Sequence, residues 1–142
     1  MKRLMNNQAG FVLPLVLVSL ALLASGVSFY LAQETGQLRA NVLNRDYELC
    51  ILTAKNAVAV AQASLGEELN YTGTQNKVID ENGGTYTIKI TELSETLRYL
   101  EIESCYKTFT KQFIGELEII PDHSGINKPE IRLVKWIMVV LT

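Results

Sequence analysis

The sequence predicts an α+β fold: one long N-terminal α-helix, membrane-spanning in its first half, packed on a small antiparallel β-sheet. Three observations predict it. Residues 4–33 hold no charged side chain. Residues 43–65 repeat small and apolar side chains at helical spacing, and from Lys77 onward the period changes to two. A chain of 142 residues has room for one domain plus an anchor.

The apolar block comes first. From Phe11 to Ala32 it runs 22 residues, of which 13 are Leu, Val or Phe. As a helix rising ~1.5 Å per residue it would reach roughly 33 Å, enough for a ~30 Å hydrocarbon core. Each of those 13 side chains favours insertion by roughly 0.3–0.6 kcal/mol, several kcal/mol in sum. Lys2 and Arg3 precede the block, so the positive-inside rule keeps its front end cytoplasmic and places the rest of the chain outside.

Two ordinary readings compete for this segment. A secretory signal peptide would be cut at the small residues Ala24-Ser25-Gly26, yet the apolar run continues past them to Leu31. An uncleaved single-span anchor would keep Pro14 inside its helix, at a cost of ~3 kcal/mol. A cut between Gly10 and Phe11 instead puts Pro14 in the first turn of the new helix, where its missing N–H has no intrahelical partner to lose.

A short basic leader, the Gly10-Phe11 junction and an apolar stretch after it together resemble the signal read by prepilin peptidases, and so the type IV pilin-like family. More narrowly, Gly10-Phe11-Val12-Leu13-Pro14, the apolar helix ending near Tyr30-Leu31-Ala32-Gln33, the small β region and Leu133-Val134-Lys135-Trp136 resemble the ComGG family, minor pilins of the Gram-positive competence machinery. The resemblance implies cleavage after Gly10 and N-methylation of the new terminus at Phe11. It divides the chain into a leader (1–10), a transmembrane or pilus-core helix (11–33), an amphipathic helix (34–66) and the β-sheet region of an extracytoplasmic domain (67–142). It also implies a single-pass membrane protein that reaches the cell surface or a pilus after processing.

One position departs from the family pattern. Most pilins carry a glutamate fifth from the cut, thought to attract the terminal amine of a neighbouring subunit; here that position is Leu15. A carboxylate deep in the bilayer costs on the order of 2.5–3.5 kcal/mol unless it finds a partner. Leu15 avoids the cost and forgoes the attraction, which suits a subunit at a tip or in an initiating complex rather than a major subunit.

Beyond the block the pattern stays helical to about Leu65-Gly66. Leu43, Tyr47, Cys50, Ala54, Ala57, Ala61 and Leu65 fall on one face, with Arg39, Arg45, Asp46 and Lys55 mostly on others. The stripe reads as core packing, with Gly66 as the stop and Gly26 and Gly36 as soft points.

The β region opens with a hairpin over 77–86, its Asn82-Gly83 turn expected to supply positive φ angles. Then Tyr86, Ile88 and Ile90 alternate with polar residues, as do Leu100, Ile102 and Tyr106, and after them Phe109, Phe113, Leu117 and Ile119. Lys111 is an exception on the apolar side. Four or five strands of a meander are expected, one face on the helix and one in solvent. The run from Trp136 to Thr142 is apolar without alternation. That strand is either buried on both faces or awaits a partner.

Little chemistry is on offer. Cys50 and Cys105 would suit a disulfide outside the cytoplasm, but alternation puts Cys105 with Glu101 and Glu103, away from the buried face. Two free thiols follow unless a bulge near Ser104 turns Cys105 inward. The pairs Glu101/Glu103 and Glu116/Glu118 read as a solvated strand face rather than catalytic acids. No Ca²⁺-loop spacing occurs, and His123, the one histidine, stands in a polar Pro/Gly segment. No enzyme activity, cofactor or metal is therefore expected.

Losing Lys2 and Arg3 leaves 11 basic against 15 acidic residues, a net charge of −4 before the termini. Direct contact with DNA is not indicated. The expected role is a minor pilin that starts or caps the competence pilus used for DNA uptake in transformation. Its expected partners are other minor and major competence pilins, the prepilin peptidase and the membrane. A pseudopilin of a secretion or adhesion pilus, and a membrane-tethered binding domain, are the rival readings.

Overall fold

A computed structural model describes residues 9–122 and 128–139. Lys2, Arg3 and His123 lie outside the described residues, as does the end of the apolar C-terminal run, 140–142. The described chain is one helix, α1 (Ala9–Glu67), followed by strands β1 (Val78–Ile79), β2 (Thr85–Glu92), β3 (Leu97–Tyr106), β4 (Phe109–Ile120) and β5 (Glu130–Val139). The strands form one antiparallel sheet in the order β1-β2-β3-β4-β5, the expected meander. The chain divides into two compact units, residues 1–42 and 43–142. The helical stretch from Leu43 onward belongs with the sheet, as the stripe of small and apolar residues leads one to expect.

In the second unit, α1 lays one face on the sheet. Cys50, Ala54, Ala57, Ala61 and Leu65 are fully buried, against Tyr86, Ile88, Ile90, Leu100, Ile102, Phe113 and Leu117. Alanine on the helix lets its backbone approach the sheet, while β-branched and aromatic residues of the strands fill the space opposite. The stripe begins later than expected, because Leu43 is exposed. It is also wider: Thr53 and Val58 are buried beside it.

Several expectations need correction. Asp46 is buried, not on an outer face, because Lys107 from the β3–β4 turn reaches down to it. Gly66 is no stop: α1 runs on to Glu67, and Glu68 N–H still bonds the Ser64 carbonyl. In the β1–β2 turn only Gly83 has positive φ (84°). Asn82 works through its side chain instead, its Oδ1 accepting from the Gly84 N–H at 2.8 Å.

Strand parity otherwise holds. Arg98, Leu100, Ile102 and Ser104 of β3 face the helix, while Tyr106 at its end is only half-buried. Lys111, on the apolar side of β4, lays its stem inward and sets its ammonium 5.6 Å from the centre of the Tyr47 ring.

The apolar run of β5 is not buried on both faces. β5 pairs with β4 alone, and Val134 and Ile137 are exposed. A bulge just before the run sets which of its residues face the core. Lys135 pairs with Glu116 and Leu133 with Leu117, so Val134 is an extra residue. It switches parity mid-strand, which lets Ile131 and Leu133 before it, and Trp136 and Met138 after it, all pack on the core. Trp136 stacks on Phe113 with ring centres 4.9 Å apart.

Candidate functional site

The first half of α1 is the most distinctive surface. Every described side chain from Val12 to Gln33 is exposed, and mean hydropathy there reaches 2.3. This one helix is long and apolar enough to cross a membrane. Its three serines are suited to lipid, because each returns its hydroxyl to the helix's own backbone. Ser19 donates to the Leu15 carbonyl at 2.9 Å, Ser25 to Leu22 at 2.8 Å and Ser28 to Ala24 at 2.8 Å. An unbonded hydroxyl in hydrocarbon would cost several kcal/mol, on the order of 4–8. Thr35 closes the series on Leu31 and Ala32.

At the front of this segment α1 starts at Ala9, so the helix passes through the Gly10-Phe11 junction, and Pro14 stands inside it. Leu15 is exposed on the span, with no side-chain polarity to offer a neighbour.

The remaining candidate residues do not converge. Cys50 and Cys105 are both free thiols. Cys50 is buried against Ser104, its sulfur 3.4 Å from Oγ, and β3 runs through Ser104 and Cys105 in unbroken register with both neighbours. Cys105 therefore points to the other side of the sheet, where it is half-exposed. Three glutamates of that face stand near lysines: Lys89 lies 3.5 Å from Glu101, Lys77 3.6 Å from Glu103 and Lys135 3.6 Å from Glu116, while Glu118 lies across from Arg132 in the register. Ion pairs this exposed contribute about 0–1 kcal/mol each. Among the described residues no three His, Cys, Asp or Glu side chains group as a metal site.

Sequence reasoning missed the polar ties that fix the sheet to the helix. Asn56 donates to both oxygens of Asp80 at 3.1 and 3.0 Å, and Thr53 and Asn82 bond side chain to side chain. Gly84 is required beneath that link, since a Cβ there would collide with the Thr53 side chain. Asn56 and Thr53 flank the apolar stripe at helical spacing, which is the one signal that could have marked them.

The two edges of the sheet differ. On the β2 side, residues 72–74 close the strand: Thr74 N–H bonds the Ile88 carbonyl, Ile90 N–H bonds that of Thr72, and Gly73 bridges Lys89. On the other side β5 presents ten residues of edge.

No protein-family model matches the chain, and no curated protein or solved structure matches it either.

Proposed function

We propose that this chain is a structural subunit of the type IV pilin-like kind, a minor pilin that helps initiate or cap a competence pilus for DNA uptake. In this reading a prepilin peptidase cuts after Gly10, Phe11 becomes the methylated N-terminus, and the apolar half of α1 lodges in the membrane and then among the helices of other pilins. The domain behind it lies outside the cell, and the protein is not an enzyme. One observation carries the reading: an exposed apolar helix segment, its serines bonded to its own backbone, continues in sequence into the helix of a small α+β unit. The lack of an acid at Leu15 supports a tip or initiating position. Mass spectrometry of the protein recovered from its own membranes tests it. A chain beginning at methylated Phe11 is expected, and one that retains residues 1–10 would refute it.

One feature favours a second reading, a membrane-tethered binding domain. The helix already starts at Ala9, ahead of the junction, so a span can form with no cut at all. The same N-terminal mass separates the two.

A further inference from the structure

We propose that Pro14 selects the site of cleavage, by withholding the helical hydrogen bond from the carbonyl of Gly10. The inference rests on the reading that the chain is cut after Gly10, and it names the residue that opens that bond.

The helix includes Ala9 and Gly10, so the Gly10–Phe11 peptide lies within helical backbone before any cut. In an α-helix the carbonyl of each residue accepts from the N–H four residues on. For Ala9 that donor belongs to Leu13, for Phe11 to Leu15 and for Val12 to Val16. For Gly10 it would belong to residue 14, which is proline and has no N–H. The proline ring also crowds the carbonyl four residues before it, which is again that of Gly10. Pro14 is the proline inside α1, so this loss falls at one peptide group, and that group belongs to the junction.

The chemistry of amide hydrolysis makes the coincidence useful. Water adds to the Gly10 carbonyl carbon, and the carbonyl oxygen takes up negative charge that donors of the peptidase must meet. The C–N bond to Phe11 then breaks. Gly10 leaves as a carboxylate and Phe11 gains the proton as an amine, with water the sole co-reactant. A carbonyl held in the helical ladder offers its oxygen to the helix; the Gly10 carbonyl can offer its oxygen to an enzyme. After the cut, Pro14 is the fourth residue of the new chain, and the group it deprived has gone with the leader. Pro14 is thus a positioning residue in the substrate, acting through the backbone four residues away.

The test follows the full-length chain in membranes of cells that also make a prepilin peptidase. The rate at which the Phe11-terminated form appears is read by pulse-chase and mass spectrometry, with alkaline extraction confirming equal membrane integration. Pro14→Ala should slow cleavage at least tenfold. Adding Leu15→Pro to Pro14→Ala frees the Phe11 carbonyl instead and should not restore the rate. An α-hydroxy acid at position 14, which lacks the N–H but has no ring, should restore most of it. If the parent chain is cut and Pro14→Ala is cut equally fast, or if the displaced proline rescues cleavage, the proposal is overturned while the pilin-like reading stands. A parent chain left whole overturns that reading, and the proposal with it.

Discussion

Lys107 donates to both carboxylate oxygens of Asp46, at 2.9 and 3.0 Å, from a turn that holds its own backbone at φ 51°. The positive φ costs a non-glycine residue about 1–2 kcal/mol. The ion pair to a buried carboxylate offsets that cost.

The two effects separate by substitution. Lys107→Ala keeps the strained backbone and strands Asp46, and should destabilise by about 1–3 kcal/mol. Lys107→Gly also loses the pair but sheds the strain, so it should be the more stable of the two by about 1 kcal/mol. Denaturant unfolding of the detergent-solubilised chain gives the order directly, and the reverse order would discard this account of the turn.

Thiol accessibility should follow strand parity. Cys105 should react with a maleimide in the native protein, whereas Cys50, at 0% exposure, should react only after unfolding. Non-reducing gels should show no intramolecular shift. A shift abolished by Cys105→Ser would contradict the register of β3.

Alkaline pH should weaken the domain through Tyr86. Burial holds its hydroxyl above the usual tyrosine value, helped by the nearby charges of Asp80 and then Tyr71. A group whose folded pKa is raised binds its proton more tightly when folded. The stability it contributes is therefore full below the ordinary tyrosine pKa of about 10 and is lost as pH rises through the folded value. Tyr86→Phe should flatten that alkaline decline in melting temperature and leave the neutral range nearly unchanged.

Gly84→Ala should destabilise by about 1–3 kcal/mol, because its methyl group meets the Thr53 side chain and the Asn82 amide oxygen. Thr53→Ala removes the obstacle, so the double variant should lose less than the sum of the two single losses. Strict additivity of the unfolding energies would show that the two residues do not meet.

Much of this was legible because it depends on period alone. The span announces itself by composition, the helix stripe from Cys50 to Leu65 by spacing, and β2 and β4 by alternation, all of which local sequence carries. What stayed hidden depends on partners far along the chain. Asp46 looks like any outer-face acid until Lys107, 61 positions away, covers it. In β5 one inserted residue, Val134, reverses parity within the strand, and nothing local marks a bulge. Asn82 was expected to bend the backbone. Its amide instead serves Thr53 and Gly84, a choice settled by the helix beneath it. At the junction the sequence places Gly10, Phe11 and Pro14, while the helical state of Ala9 and Gly10 ahead of the junction is seen in the fold alone.

The two rims of the sheet differ in what they offer a further strand. Growth of a β-ribbon needs an acceptor at both ends of every unit, and here one rim is broken into short pieces by β1 and residues 72–74. Among the described residues, the long unbroken edge is that of β5. Were two β5 edges to pair with each other, each would use up the other's free groups, and that pairing would close at two molecules.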